Sequence, residues 1–215
     1  MVATVTDEQF AARELVRDWA RNSTAGPGGT AAIREVEQGE ADAWRPVFAR
    51  LADLGIFGVA VPEDAGGAGG SIDDLCAMVE ETAKALVPGP VATTALATLV
   101  VRDPELLDDL ASGERFAGLA LDGDVEFDGA TAQASGTADF VLGASNTVRG
   151  GVLLLPAGDH FVLVDTGSAG VQLEPLQAAD FSRPLARVVL KSAPATVIEA
   201  PGRRVEELAA TVLAA

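Results

Sequence analysis

Residues 54–90 read LGIFGVAVPEDAGGAGGSIDDLCAMVEETAKALVPGP, from Leu54 to Pro90, and the rest of the chain is arranged around them. Gly55 stands where the C′ residue of a preceding helix belongs. A glycine-rich turn follows Pro62, with Gly66, Gly67, Gly69 and Gly70. Ser71 then caps a new helix, with Asp74 in the capping-box position, and Pro88-Gly89-Pro90 stops it. The glycines suggest a phosphate cradle, but their neighbours do not. A P-loop ends in Gly-Lys-Ser/Thr, with the lysine on the phosphates and the hydroxyl on magnesium. Here Gly70 is followed by Ser71-Ile72-Asp73, and the nearest lysine is Lys84. A dinucleotide-binding turn follows a strand, whereas the residues before Gly55 have helical spacing. Glu63, Asp64, Asp73 and Asp74 would repel an anion as well. The turn chemistry predicts a helix-to-helix connection with no phosphate in it.

Towards the N-terminus the pattern is helical. Thr6 to Gln9 form a capping box, and Ala12, Leu15, Val16 and Trp19 recur on one face. Residues 22–30, with Gly26-Pro27-Gly28-Gly29, read as a loop. A second helix covers about 41–54, with Trp44, Val47, Phe48, Leu51 and Leu54 on one side. The two tryptophans read as core anchors. In the helix after Ser71, Leu75, Val79, Thr82, Ala83 and Leu86 share one side, and Glu80, Glu81 and Lys84 another. Cys76 and Met78 read as packing residues. Residues 92–101 form a small-residue apolar helix, and Asp103-Pro104 caps one that Gly113 ends.

The period changes near residue 114. Short apolar runs at 116–121, 125–127, 140–142, 152–155, 161–164, 171–173 and 185–190 alternate with glycine- and aspartate-rich turns. Strands spaced this way predict a β-sandwich or barrel. The expected fold class is α+β: an N-terminal all-helical domain over 1–113, then an antiparallel β-barrel or sandwich domain over 114–200. A helix begins at about 201 and the chain ends at Ala215, so 201–215 reads as the start of a truncated C-terminal helical domain, with nothing to pack on.

Composition bounds the function. The net charge is −17, from 32 acidic and 15 basic residues, which excludes the basic face that nucleic acid needs. No apolar run is long enough for a membrane span, and no export signal is present. The one cysteine fits a reducing compartment, so the expected location is cytoplasmic. His160 is the sole histidine and has no metal partner at ligand spacing. No serine lies in a nucleophile elbow.

The LG-x-x-G-x-x-VPE-x-x-GG-x-G pattern, the acidic helix after it and the PGP stop resemble the acyl-CoA dehydrogenases. So does the order of helices, strands and a new helix. The resemblance implies FAD as cofactor, an acyl-CoA thioester as substrate, and a homo- or hetero-oligomer of similar subunits. In that family the flavin oxidises the Cα–Cβ bond of the acyl group, while a carboxylate takes the α proton. The resemblance places flavin-facing positions at Leu121, Asp122, Phe140, Val141 and Leu142. The family's T-E-P-x-x-G-S-D stretch corresponds to residues 119–124 here, and its W-I-T to Phe140-Val141-Leu142, so Leu142 takes the place of a hydroxyl. The family's base lies in a C-terminal bundle, so no catalytic residue carries over. Arg149 and Arg183 are candidate phosphate partners, and Asp180 to Arg183 form a turn before the last strand. Two functions follow: the N-terminal and middle portion of such a flavoprotein, inactive by itself, or a non-catalytic partner subunit that keeps the fold without the flavin chemistry.

Overall fold

A computed structural model describes residues 6–22, 30–145 and 150–215. Six helices come first: α1 Asp7–Asn22, α2 Thr30–Glu37, α3 Arg45–Asp53, α4 Ile72–Lys84, α5 Val91–Val100 and α6 Pro104–Ala111. Eight strands follow, from β1 Phe116–Leu119 to β8 Thr196–Val197, and α7 Gly202–Leu213 comes last. The caps are where the sequence places them. The Thr6 hydroxyl accepts from the Gln9 amide and the Gln9 side chain accepts from the Thr6 amide. Ser71 and Asp74 close the same box at α4, and the Asp103 carboxylate accepts from the Leu106 amide. Helix α2 has no counterpart in the sequence reading, because it is short and begins where the glycine-rich segment ends. Residues 23–29 lie outside the described residues.

Trp44, Phe48, Leu51, Ile56, Phe57, Leu75 and Met78 are buried in one helical core. On α1 only Val16 is fully buried, with Ala12 and Trp19 packed against the core and Leu15 exposed. The apolar stripe is therefore narrower than its spacing predicts. α1 meets the core along one line, on α4.

Six of the seven expected apolar runs lie within strands, and the first, 116–121, runs two residues past the end of β1; the others are in β2 Asp124–Asp128, β3 Gln133–Leu142, β4 Gly151–Ala157, β5 His160–Asp165, β6 Val171–Pro175 and β7 Leu185–Pro194. They form one sheet in the order β6-β7-β3-β1-β4-β5-β8, with β2 paired to β3. The sheet corrects one expectation. It is mixed rather than purely antiparallel, because β1 and β4 run parallel from the Phe116–Gly151 pair to the Leu119–Leu154 pair. The β2–β3 hairpin supplies the crossover between them, which a two-residue turn cannot do. A period-2 pattern fixes which face a residue takes but not the direction of its neighbour.

α7 corrects another. Its Val205, Leu208, Ala209 and Val212 are all buried. Val205, Leu208 and Ala209 share a core with Leu96, Ala97 and Val100 of α5 and Phe161 of β5. The helix for which the sequence shows no partner bridges the helical and β parts of the molecule.

Candidate functional site

The glycine-rich turn can be dismissed as an anion site from its own hydrogen bonds. The amides of Gly66, Gly67, Ala68, Gly69 and Gly70 donate to the carbonyls of Glu63, Pro62, Gly58, Val61 and Val59. A phosphate nest needs amides with no other acceptor, and these five are committed to folding the connection back on residues 58–63.

The candidate site lies where β1 and β3 meet. Their one register pair, Leu119 with Leu142, sets the loop after β1 beside the end of β3. Farther along β3, Asp124 of β2 pairs with Thr137. Between these pairs β3 is bulged: Ala138 faces Val188 and Val141 faces Ala186, so three steps on β3 match two on β7. The extra residue turns both Asp139 and Phe140 outward, and Phe140 is 73% exposed. Bulges redirect side chains in this way next to sites.

A cleft of about 560 Å³ results, walled by Leu119, Leu121, Asp122, Gly123, Asp124, Thr137, Asp139, Phe140 and Leu142, with Leu213 of α7 at one side. Four of the five sequence candidates, Leu121, Asp122, Phe140 and Leu142, come together here. Val141 does not. Its side chain is fully buried with Ala138, Ala186 and Val188 in the core beneath the sheet, because the alternation resumes after the bulge. Asp124 ends the 119–124 stretch that the resemblance singles out. The sequence reading missed Thr137 and Asp139, which reach the cleft through β3, and Leu213, which reaches it through the docking of α7. No local pattern marks any of them.

The cleft's electrostatics oppose an anion. Asp122, Asp124 and Asp139 line it, and no lysine, arginine or histidine among the described residues does. Arg187 pairs with Asp139 at 2.9 Å from outside the wall. The side-chain hydroxyl on the wall is that of Thr137. The loop 121–123 is a bend without a hydrogen-bonded turn, so backbone amides are the remaining source of donors. A flavin ring in this cleft would meet leucine side chains rather than hydroxyl donors, and a pyrophosphate would meet Asp122, Asp124 and Asp139 with no cation on the wall among the described residues, so the lining does not fit a complete FAD.

Arg149 lies outside the described residues. Ser182 donates its amide to Asp180 at 2.8 Å. Hydrogen bonding from the Ser182 side chain, acting against burial and aided by that amide and by the charge of Arg183, holds the Asp180 carboxyl below its usual range. The Cys76 thiol is 3.9 Å from the Thr211 carbonyl, and burial, with Asp73 beside it, pushes its pKa up, away from a reactive thiolate. Among the described residues no His, Cys, Asp and Glu group could hold a metal, and no helix is long and apolar enough to cross a membrane.

Residues 6–106 match the family model described as acyl-CoA dehydrogenase, N-terminal domain. The chain is 67% identical over 219 aligned positions to acyl-CoA dehydrogenase FadE34 of Mycobacterium tuberculosis, covering 100% of this chain and 30% of that protein. A solved structure titled as a Tcur3481-Tcur3483 steroid ACAD variant superposes with a TM-score of 0.74 at 27% identity, over 98% of this chain and 61% of that one. An acyl-CoA dehydrogenase of Bacillus anthracis complexed with FAD gives a TM-score of 0.72 at 19% identity, over 97% of this chain and 40% of that one, and so shares the fold. The chain thus spans about a third of FadE34 and under two thirds of the steroid enzyme's chain.

Proposed function

Because this chain belongs to the acyl-CoA dehydrogenase family, we propose that it is the N-terminal and middle portion of an acyl-CoA dehydrogenase-like flavoprotein. Such a protein oxidises the CH–CH bond of an acyl-CoA thioester. The observation that carries the proposal is the high identity along the whole chain to a protein of that name. We divide the portion into a helical domain at 1–113, a β domain at 114–200 and the opening of a further helical domain at 201–215. Leu121, Asp122, Phe140 and Leu142 form the wall turned towards the flavin in the longer cytoplasmic protein. Similar subunits complete the site in a homo- or hetero-oligomer. This portion supplies Leu121, Phe140 and Leu142 as the apolar part of that wall and Asp122 as its charged part.

The 215-residue chain has no turnover by itself in this reading, and it holds FAD weakly or not at all. The test titrates FAD into the chain, follows flavin fluorescence, then adds a short acyl-CoA with an artificial electron acceptor. Tight binding with turnover overturns the reading.

A second function, the non-catalytic partner that keeps the fold, is favoured by the acidic cleft and its shortage of side-chain donors. Leu142→Asp in the longer protein separates the two. Loss of bound flavin from its absorption spectrum puts the flavin at this cleft. Unchanged flavin content makes this portion the partner.

A further inference from the structure

The lining of the cleft between β1 and β3 rejects FAD and suits a different occupant. Three of the seven large hydrophobic side chains exposed among the described residues, Leu121, Phe140 and Leu213, stand together on its wall. They come from the loop after β1, the bulge of β3 and the end of α7, so three separate elements converge to present them. Leu121 is 48% exposed and Phe140 73%. Exposed apolar residues scattered singly need no explanation, whereas a group of them at one concave place marks an interaction surface.

The charge on the same wall has one sign. Asp122, Asp124 and Asp139 are all exposed. Asp139 is matched by Arg187. The carboxylates of Asp122 and Asp124 have neither an ion pair nor a hydrogen bond among the described residues. Both are open to solvent, so an incoming cation reaches them without any rearrangement of the chain.

We infer that this cleft docks a segment of a partner acyl-CoA dehydrogenase-like subunit, in which a large apolar side chain is flanked by lysine or arginine. The apolar side chain covers Leu121, Phe140 and Leu213, and the cations meet Asp122 and Asp124. An interface built this way has an apolar centre and a polar rim, and complementary charge selects the partner. A small cationic molecule held inside the cleft would leave Phe140, which projects outward, in water; a protein surface covers it. The inference deepens the second function proposed above, the non-catalytic partner, and rests on it.

The test uses the full chain and calorimetry with three capped synthetic peptides of equal length, built from Leu-Lys-Lys-Leu, Leu-Glu-Glu-Leu and Ser-Lys-Lys-Ser repeats. The leucine–lysine peptide is expected to bind about tenfold more tightly than either of the others, the size of two exposed ion pairs or of one covered apolar side chain. Asp122→Asn with Asp124→Asn should erase the preference for lysine over glutamate. Phe140→Ser should reduce the preference for leucine over serine. Glu35→Gln with Glu37→Gln removes the same charge from exposed positions of α2, outside the cleft, and should leave both preferences in place. No preference for the leucine–lysine peptide overturns the inference. So does a preference that the cleft variants leave intact, or one that the α2 variant removes as fully, which is attraction to the net charge alone. FAD is then titrated into the chain and followed by flavin fluorescence. Tight FAD binding that the leucine–lysine peptide displaces overturns the inference and the partner reading together. Absence of both FAD and peptide binding overturns the inference alone.

Discussion

Gly66 and Gly67 are neighbours with different reasons to be glycine. Gly66 has φ of +85° with open space around its missing Cβ, so its constraint is conformational. Gly67 does not have positive φ, but a Cβ there would lie 2.2 Å from the Val61 carbonyl oxygen. Its constraint is space against backbone, which cannot move aside as a side-chain end can. Gly67→Ala is therefore expected to destabilise the chain by about 2 kcal/mol, the range of overpacking, and Gly66→Ala by about 1 kcal/mol. Urea unfolding of both variants checks the order; equal midpoints would show that the close approach of Gly67 to Val61 is not kept in solution. The sequence marks this segment as a turn through residue type, but cannot tell the two glycines apart, since one depends on φ and the other on a partner. The cleft is legible to a similar depth. Leu121, Asp122, Phe140 and Leu142 follow from order along the chain. Val141 is the exception, because a bulge at Asp139–Phe140 shifts the alternation by one residue.

At the scale of elements, the charged side of α4 carries Glu81, and Glu81 is not solvated. It is 4% exposed, and its carboxylate accepts from Arg17 of α1 at 2.7 and 2.8 Å. Lys84 donates to it at 2.9 Å and Arg13 at 3.2 Å. Glu80 adds a further pair to Arg13 and one to Lys84. The spacing of α4 shows the Glu80, Glu81 and Lys84 pairing, but the arginines come from a helix far back in the chain, which no local pattern reveals. The network fastens α1 to the core where its apolar stripe is narrow. The Arg17 hydrogen bonds, acting against burial, lower the Glu81 pKa from 4.5 to about 2. The folded pKa lies below the unfolded one, so the Glu81 contribution is full above pH 4.5 and is lost as the pH falls towards about 2. Stability measured by urea unfolding should decline across that window. Glu81→Gln should flatten the decline and cost about 2 kcal/mol at pH 7, because a charged partner of Arg17 becomes a neutral acceptor. An unchanged acid profile in Glu81→Gln would show that other carboxylates govern the acid limb.

Across the whole molecule, the order of helices, strands and a last helix is legible because each part keeps its own hydrophobic period. What joins the parts is not. The parallel pairing of β1 with β4 depends on the β2–β3 hairpin crossing over, and the seat of α7 depends on α5 and β5 already being in place. α5 is fastened to the sheet by a polar contact as well: the Thr94 hydroxyl accepts from the Ala117 amide of β1 at 3.0 Å. α7 packs on both α5 and β5, so helical and β parts share one core instead of meeting at a soft linker. Leu208 lies in that shared core at 5% exposure, whereas Leu213, on the same helix, is 38% exposed beside the cleft. If α7 is docked as an integral element, Leu208→Ala should cost about 3 kcal/mol through lost burial and a residual cavity. Leu213→Ala should change stability by less than about 1 kcal/mol. Thermal unfolding of the two variants, followed by circular dichroism at both helix and sheet wavelengths, measures this. A lowered, single transition for Leu208→Ala means that helical and β parts unfold together through α7. Equal, small effects at both positions would mean that α7 is not held against α5 in solution, and the bridging role assigned to it would have to be given up.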